Sequence, residues 1–350
     1  MRKTISSIFL SALFALPVLA GGDKQAEGLG YCLPKTAVQM RVLVEKTSVE
    51  PGQLAAYSEL YFKTAASSQP STTYRIVGVT FSSCGVPDDS RRFAVAIDKK
   101  HSILSVDCAQ SGVLRAINTK APAVRQPAGF VAAPKPAPLN PRDYMSQDIL
   151  AASNLPKMAQ LVAQEIYDVR DSRNLLSRGE AEFMPKDGEQ LRLMYAQLDR
   201  QERALMHLFQ GTTTIDTTEM VVNFVPEKGA KRSVAFRFSK RFGLTSADDL
   251  SGEPCYVSVS DEGVIAEAPA VSEASKKEKD DFQLGVCLPG KVRLTLQQNN
   301  KTIAEYEMWA AQFGRVEMLS GSLFGKKLTS KIVVDEATGA VMELQTEPLE

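Results

Sequence analysis

Histidine is almost missing from this chain. Only His101 and His207 occur among 350 residues, and neither has a second ligand at metal-binding spacing. No Cys-x-x-Cys pair exists either, so the spacing argues against a zinc centre of the usual ligand sets. Excess charge of one sign is missing too: Lys plus Arg total 41 and Asp plus Glu total 41. A balanced chain lacks the concentrated basic face that nucleic acid or an anionic membrane surface requires. No Gly-x-Ser-x-Gly elbow is present, since Ser320-Gly321-Ser322 has the composition without the spacing. No Gly-rich phosphate loop precedes a helix. Carboxylates are plentiful, but nothing in their spacing singles out an acid/base pair. These absences point to a non-catalytic protein with no cofactor.

Long apolar runs are confined to the N-terminus. Arg2 and Lys3 precede the apolar stretch Ile8 to Leu16, Pro17 breaks it, and Val18 and Ala20 are small residues at the −3 and −1 positions of a cleavage site. This pattern predicts a signal peptide over 1–20, cut before Gly21. The run is too short to span a bilayer. Gly22 stands where a lipoprotein would carry its acylated cysteine, so an exported, periplasmic protein without a lipid anchor is expected. Removing Arg2 and Lys3 leaves 39 basic against 41 acidic residues.

Cysteine usage is sparse and odd: Cys32, Cys84, Cys108, Cys255 and Cys287. In an exported chain, proximity suggests Cys84 with Cys108 and Cys255 with Cys287, leaving Cys32 free. Five small buried hydrophobes are the competing reading.

Hydrophobic period divides the rest. A Gly-rich leader (21–30) gives way to period-two runs at 37–44, 74–82, 93–97, 103–106 and 113–117, with a helix-like run at 54–62 between the first two. Six prolines between 119 and 143 read as a linker or extended covering segment. Met158, Val162, Ile166, Val169 and Leu176 share one face of a helix over 154–178, which Gly179 ends. Asp187 and Gln190 open a second helix that runs to Gly211. Strand patterns return from 212, and Pro226-Glu227-Lys228-Gly229 between two of them reads as a β-hairpin turn. Further runs fall at 256–259, 286–296, 303–310 and 331–344, with a polar excursion at 262–281. Leu29-Gly30-Tyr31-Cys32-Leu33-Pro34 is echoed by Leu284-Gly285-Val286-Cys287-Leu288-Pro289. The expected fold is α+β, with two antiparallel β-rich units (21–120 and 212–350) separated by a Pro-rich linker (121–145) and a long antiparallel αα-hairpin (146–211).

Few residues stand out as functional candidates. Glu165, Asp168, Arg170, Asp171 and Arg173 on the first helix have a charged counterpart on the second in Arg192, Asp199, Arg200, Glu202 and Arg203. They form either a docking surface or a solvated face of inter-helix pairs, each pair worth about 0–1 kcal/mol. Trp309, with Glu305 and Glu307 on its own face by period-two counting, either stacks on a sugar or peptide or rims a β core. Thr217 lies in Asp216-Thr217-Thr218, which fits a periplasmic O-glycosylation acceptor.

Several motifs resemble the domain-of-unknown-function family 4831. They are Glu165-Ile166-Tyr167 with Arg170-Asp171-Ser172-Arg173, Met184-Pro185-Lys186-Asp187-Gly188-Glu189, Leu198-Asp199-Arg200-Gln201-Glu202, Phe236-Arg237-Phe238-Ser239, Asp248-Asp249-Leu250-Ser251-Gly252-Glu253-Pro254 and Ala311-Gln312-Phe313-Gly314. The likeness runs from about Gly30 to the C-terminus. It implies an exported protein of Gram-negative, Bacteroides-type bacteria and carries over no catalytic residue. Members often lack cysteine at the positions of Cys32 and Cys287, which the resemblance sets against a family-wide disulfide. The leading expectation is a non-catalytic scaffold of the cell envelope with a protein partner. A glycan- or peptide-binding module and a hydrolase with a carboxylate site stand behind it.

Overall fold

The computed structural model describes residues 28–97, 101–123, 127–135, 137–229, 232–269, 283–325 and 328–348. The expected signal peptide at 1–20 and residues 270–281 of the polar excursion read at 262–281 lie outside them. The start of that excursion is corrected, since the strand Glu253–Ile265 runs through 262–265. The fold is mixed α and β, with three antiparallel sheets.

Alternation starts the first sheet. In β1 (Gly28–Glu50), Val38, Met40, Val42 and Val44 point inward and are buried. β1 pairs on one side with β2 (Ser71–Ala96), from Gly28 opposite Ala96 to Val49 opposite Ser71. On its other side it pairs with β5 (Thr212–Phe224), from Val38 opposite Phe224 to Glu50 opposite Thr212. The second sheet has the order β10-β9-β8-β6-β7, built from β6 (Ser233–Ser239), β7 (Gly243–Thr245), β8 (Glu253–Ile265), β9 (Gln283–Gln298) and β10 (Lys301–Ser320). The two sheets close over one core, where Val38 to Val44 meet Phe236, Phe238, Val292, Leu294, Leu296 and Met308. The third sheet, β12-β11-β4-β3, comprises β3 (Val106–Cys108), β4 (Leu114–Ile117), β11 (Leu328–Val334) and β12 (Val341–Pro348). It covers a second core made from Tyr31, Leu33, Leu284, Val286, Leu319, Phe324 and Ile332.

The expected pair of separate β units is corrected by these pairings. β5 belongs to 212–350 yet pairs with β1, and β11 pairs with β4. Residues 21–120 and 212–350 therefore share sheets, because neither half alone can cover its inward apolar face. The hairpin read at 226–229 is also corrected: β5 joins β1, whereas β6 joins β7 and β8. The turn carries the chain from one sheet to the other.

The short sequence echo marks a structural repeat. In β1–β2, Cys32 faces Arg92 and Pro34 faces Pro87, so residues 88–91 bulge opposite Leu33 alone. In β9–β10, Leu288 faces Arg315 and Gly290 faces Ala310, so residues 311–314 bulge opposite Pro289 alone. The N–H of Cys32 donates to the Gly112 carbonyl at 3.0 Å, and that of Cys287 donates to the Gly339 carbonyl at 2.8 Å. Gly112 and Gly339 both have positive φ, 84° and 71°, at the tips of β3–β4 and β11–β12. Outer strands match as well, β5 along β1 and β8 along β9.

The bulges are filled differently. Asp88, fully buried, accepts from the Ser90 N–H and hydroxyl at 3.1 and 2.7 Å and pairs with Lys35 and Arg91. Burial alone pushes its carboxyl up, but the Ser90 hydrogen bonds and Lys35 outweigh it and hold the group below the ordinary range. The other bulge holds Gln312, whose Oε1 accepts the Thr36 N–H at 2.9 Å. Its Nε2 donates to the carbonyls of Thr36 and Pro226 at 2.9 and 2.8 Å. The Thr36 hydroxyl accepts from the Ala311 N–H and donates to the Ala337 carbonyl. One buried cluster thus ties β1, β10, the β5–β6 turn and the β11–β12 turn.

The helices form the third core. A short turn at Ala55–Tyr57 leads into α1 (Ser58–Phe62), and α2 (Gln147–Leu150) precedes α3 (Leu155–Arg178) and α4 (Gly188–Gln210). Asn154 caps α3 by accepting from the Lys157 N–H, and Asp187 caps α4 by accepting from that of Gln190. Gly179, at φ 75°, ends α3 with bonds back to Leu175 and Leu176. Leu54, Ile149, Val162, Ile166, Leu205 and Phe209 pack together among the helices and the turns that lead into them. The buried side chains of α4 fall only between Ala204 and Phe209, so its N-terminal half carries no fully buried side chain. The Pro-rich segment lies along the first sheet: the Phe130 N–H donates to Glu219 at 3.2 Å and Lys135 pairs with Asp216.

Candidate functional site

The charged set on the helices is largely engaged within the chain. Arg170 pairs with Glu202 at 2.7 Å, and its guanidinium lies over the rings of Phe62 and Tyr167. Arg173 reaches Asp199 at 3.1 Å and Glu202 at 4.0 Å. Glu165 accepts from Gln201, and Asp168 accepts from Gln164. Arg192 pairs with Glu189, and Arg203 donates to the Asp199 carbonyl. Arg200 is exposed and has no side-chain partner among the described residues. The set acts mainly as inter-helix stitching.

A different feature of the same helices escaped the charge-based reading. Large apolar side chains stand exposed where α3 passes into α4: Phe183 at 81%, Leu193 at 66%, and Leu175, Met184 and Met194 to lesser degrees. All lie on the connection or within about two helical turns of it, roughly 9 Å along the axis. The available signal was a Phe-Met pair inside a charged loop, Glu182-Phe183-Met184-Pro185-Lys186.

Trp309 is 40% exposed on β10, with Lys291 opposite it on β9. Glu305 and Glu307 are exposed on the same strand. Glu307 bonds Lys291 at 2.8 Å and Arg293 at 2.7 Å, and those hydrogen bonds hold its carboxyl below the ordinary range. Trp309 therefore borders an open, charge-paired sheet face. Thr217 is half-buried on β5 opposite Glu45.

Both expected disulfides are overturned by distance. Cys255 stands opposite Gln298, eleven residues along β9 from Cys287. At about 3.3 Å per residue this is roughly 35 Å, against the ~7 Å limit between bridged Cα atoms. Cys84 faces Ala37, five residues along β1 from Cys32, while Cys108 lies on β3 beside the Val113 that neighbours Cys32. All five thiols are free. Burial pushes the Cys255 thiol up to about 12 and that of Cys287 to about 11. Maleimide labelling of the folded protein is therefore expected to modify exposed Cys84 and spare Cys255 and Cys287. Denaturant without reductant should release all five; a smaller thiol count would contradict the assignment.

Clefts among the described residues have volumes in or near the range of ligand sites. One of about 690 Å³ lies between Arg41, Cys84, Arg115 and residues 335–337. Arg115 pairs there with Glu336, and Arg41 pairs with Glu219, leaving the Arg41 Nε buried without a partner among the described residues. A smaller one of about 240 Å³ is lined by Tyr31, Cys32, Asp89 and Arg92, and the last two form an ion pair. Another, of about 520 Å³, opens at the end of the sandwich between Tyr74, Ile76, Phe238, Lys240, Arg241 and Ile303.

Among the described residues, no group of three or more His, Cys, Asp or Glu side chains could hold a metal ion. No described helix is long and apolar enough to cross a membrane. A family model described as "Domain of unknown function (DUF4831)" matches residues 27–342. No curated protein and no solved structure matches the chain.

Proposed function

The chain belongs to the family of that model, DUF4831, and from this premise we propose a non-catalytic interaction protein of the cell envelope. Its β scaffold holds α3 and α4 as one antiparallel hairpin, and a protein partner docks on the free end. The observation that carries this reading is the exposed apolar set led by Phe183 and Leu193. Burying a large apolar side chain is worth about 1.5–3 kcal/mol, so a partner covering even part of the set gains useful affinity. The paired charges on the flanks keep the two helices in register. Export through the N-terminal segment places this partner in the periplasm.

Trp309 supports a second reading, a sheet face on which a glycan or peptide stacks, because its ring is partly exposed beside Lys291 and Glu307.

Installing a photoreactive residue at Leu193 tests the docking proposal in intact cells. A discrete adduct of one identified envelope protein is expected, absent when the label is moved to Leu104, which is exposed still more fully. No adduct, or the same adducts from both positions, would reject it.

A further inference from the structure

We propose that the open end of the sandwich is a binding site for a small single-chain amphiphile with an anionic head, of the fatty-carboxylate class. The cleft forms where β2 begins, β6 ends and the β9–β10 turn closes, and it holds about 520 Å³. That is ample for one acyl chain and lies within the range of small-molecule sites. Its apolar wall continues the sandwich core, since Tyr74, Ile76, Phe238 and Ile303 all belong to that packing or border it. The two sheets are tied at this corner by the Tyr74 N–H, which donates to the Lys240 carbonyl at 2.9 Å. The opening is therefore a built end of the sandwich.

Charge identifies the head group. Arg75 is paired with Glu45 through bonds of 2.6 and 3.1 Å, which offset its charge. Glu253, the carboxylate that lines the cleft, accepts from the Asn299 amide at 2.7 Å. Lys240, Arg241 and Tyr74 also line the cleft, the two cations on its exposed rim, and none of the three side chains has a polar partner among the described residues. Two uncommitted cations against one hydrogen-bonded carboxylate leave the rim net positive. Cationic donors over an apolar wall match a ligand with an anionic head and an apolar tail. In the 690 Å³ cleft, by contrast, both arginines already face carboxylates.

Titration of the purified protein with dodecanoate below its micellar concentration tests this site, with dodecanol as the uncharged probe. Saturable binding of one dodecanoate per chain is expected, with dodecanol weaker. Charge reversal by K240E with R241E, on an exposed turn, should cut dodecanoate affinity about tenfold or more. I303W, which fills the cleft, should abolish binding while far-UV circular dichroism is unchanged. Unsaturable uptake, equal binding of dodecanol, or full affinity in the charge-reversed variant would overturn the proposal. The reversed pair keeps the test decisive should I303W fail to fold.

Discussion

Gln312→Ala lowers the free energy of unfolding by about 3–5 kcal/mol, because one side chain satisfies three backbone groups that each cost about 1–3 kcal/mol when left bare and buried. Its amide takes the Thr36 N–H and serves the carbonyls of Thr36 and Pro226, all at 2.8–2.9 Å. Alanine supplies none of these bonds and opens a void beside a fully buried Thr36. Three of the joined elements come from distant parts of the chain, so the loss is expected to weaken the seam between the sheets as a whole. Urea unfolding followed by tryptophan fluorescence measures it: a large drop in midpoint with cooperativity retained is predicted. A change below about 1 kcal/mol would place the bulge outside the cooperative core.

The second large effect comes from comparing the two glycines of the repeat. Both Gly112 and Gly339 sit at positive φ and accept from an echoed cysteine N–H. Alanine at either pays the left-handed penalty of about 1–2 kcal/mol. Surroundings then separate them. A Cβ on Gly112 meets only the Cys32 Sγ at 3.7 Å, whereas one on Gly339 falls 2.9 Å from the Pro34 ring and 3.1 Å from the Cys287 Cβ. Gly339→Ala is thus expected to cost about 3 kcal/mol or more, since a buried overlap between packed strands cannot relax cheaply, and Gly112→Ala only the conformational share. Equal effects from both, read by thermal unfolding, would contradict the packing described at the second tip.

Much of the architecture was legible where the signal is local. Asn154, Gly179 and Asp187 mark helix ends through chemistry that needs only neighbouring residues, and the structure uses all three. Period-two runs located most strands but broke the long ones, and the run at 103–106 meets a strand only at Val106. The pattern is interrupted at 83–92, and β2 nevertheless continues from Ser71 to Ala96, through the bulge at 88–91. Turn chemistry at 226–229 predicts a hairpin pairing its two flanking strands, yet β5 goes to β1 and β6 to β7 and β8, because a turn signal fixes a reversal and not the partner strand. The six-residue echo carried more information than its length suggested, because it sits where each long hairpin bends. Nothing local marks Gln312, since its main partner lies 276 residues away. On the candidate surface, period counting placed Trp309 and its carboxylates on one face. Attention to charge passed over Phe183 and Leu193, which are conspicuous only once the helices leave them uncovered.

The docking account rests on those side chains being surplus to folding. The most direct measurement pairs unfolding free energy with cross-linking in the double variant F183S/L193S. Stability within about 0.5 kcal/mol of the parent, as for ordinary surface substitutions, together with loss of the partner adduct trapped from a neighbouring label at Met194, is the predicted outcome. A destabilised hairpin, or an adduct that survives intact, would contradict the claim that the free end of α3 and α4 exists to bind a partner.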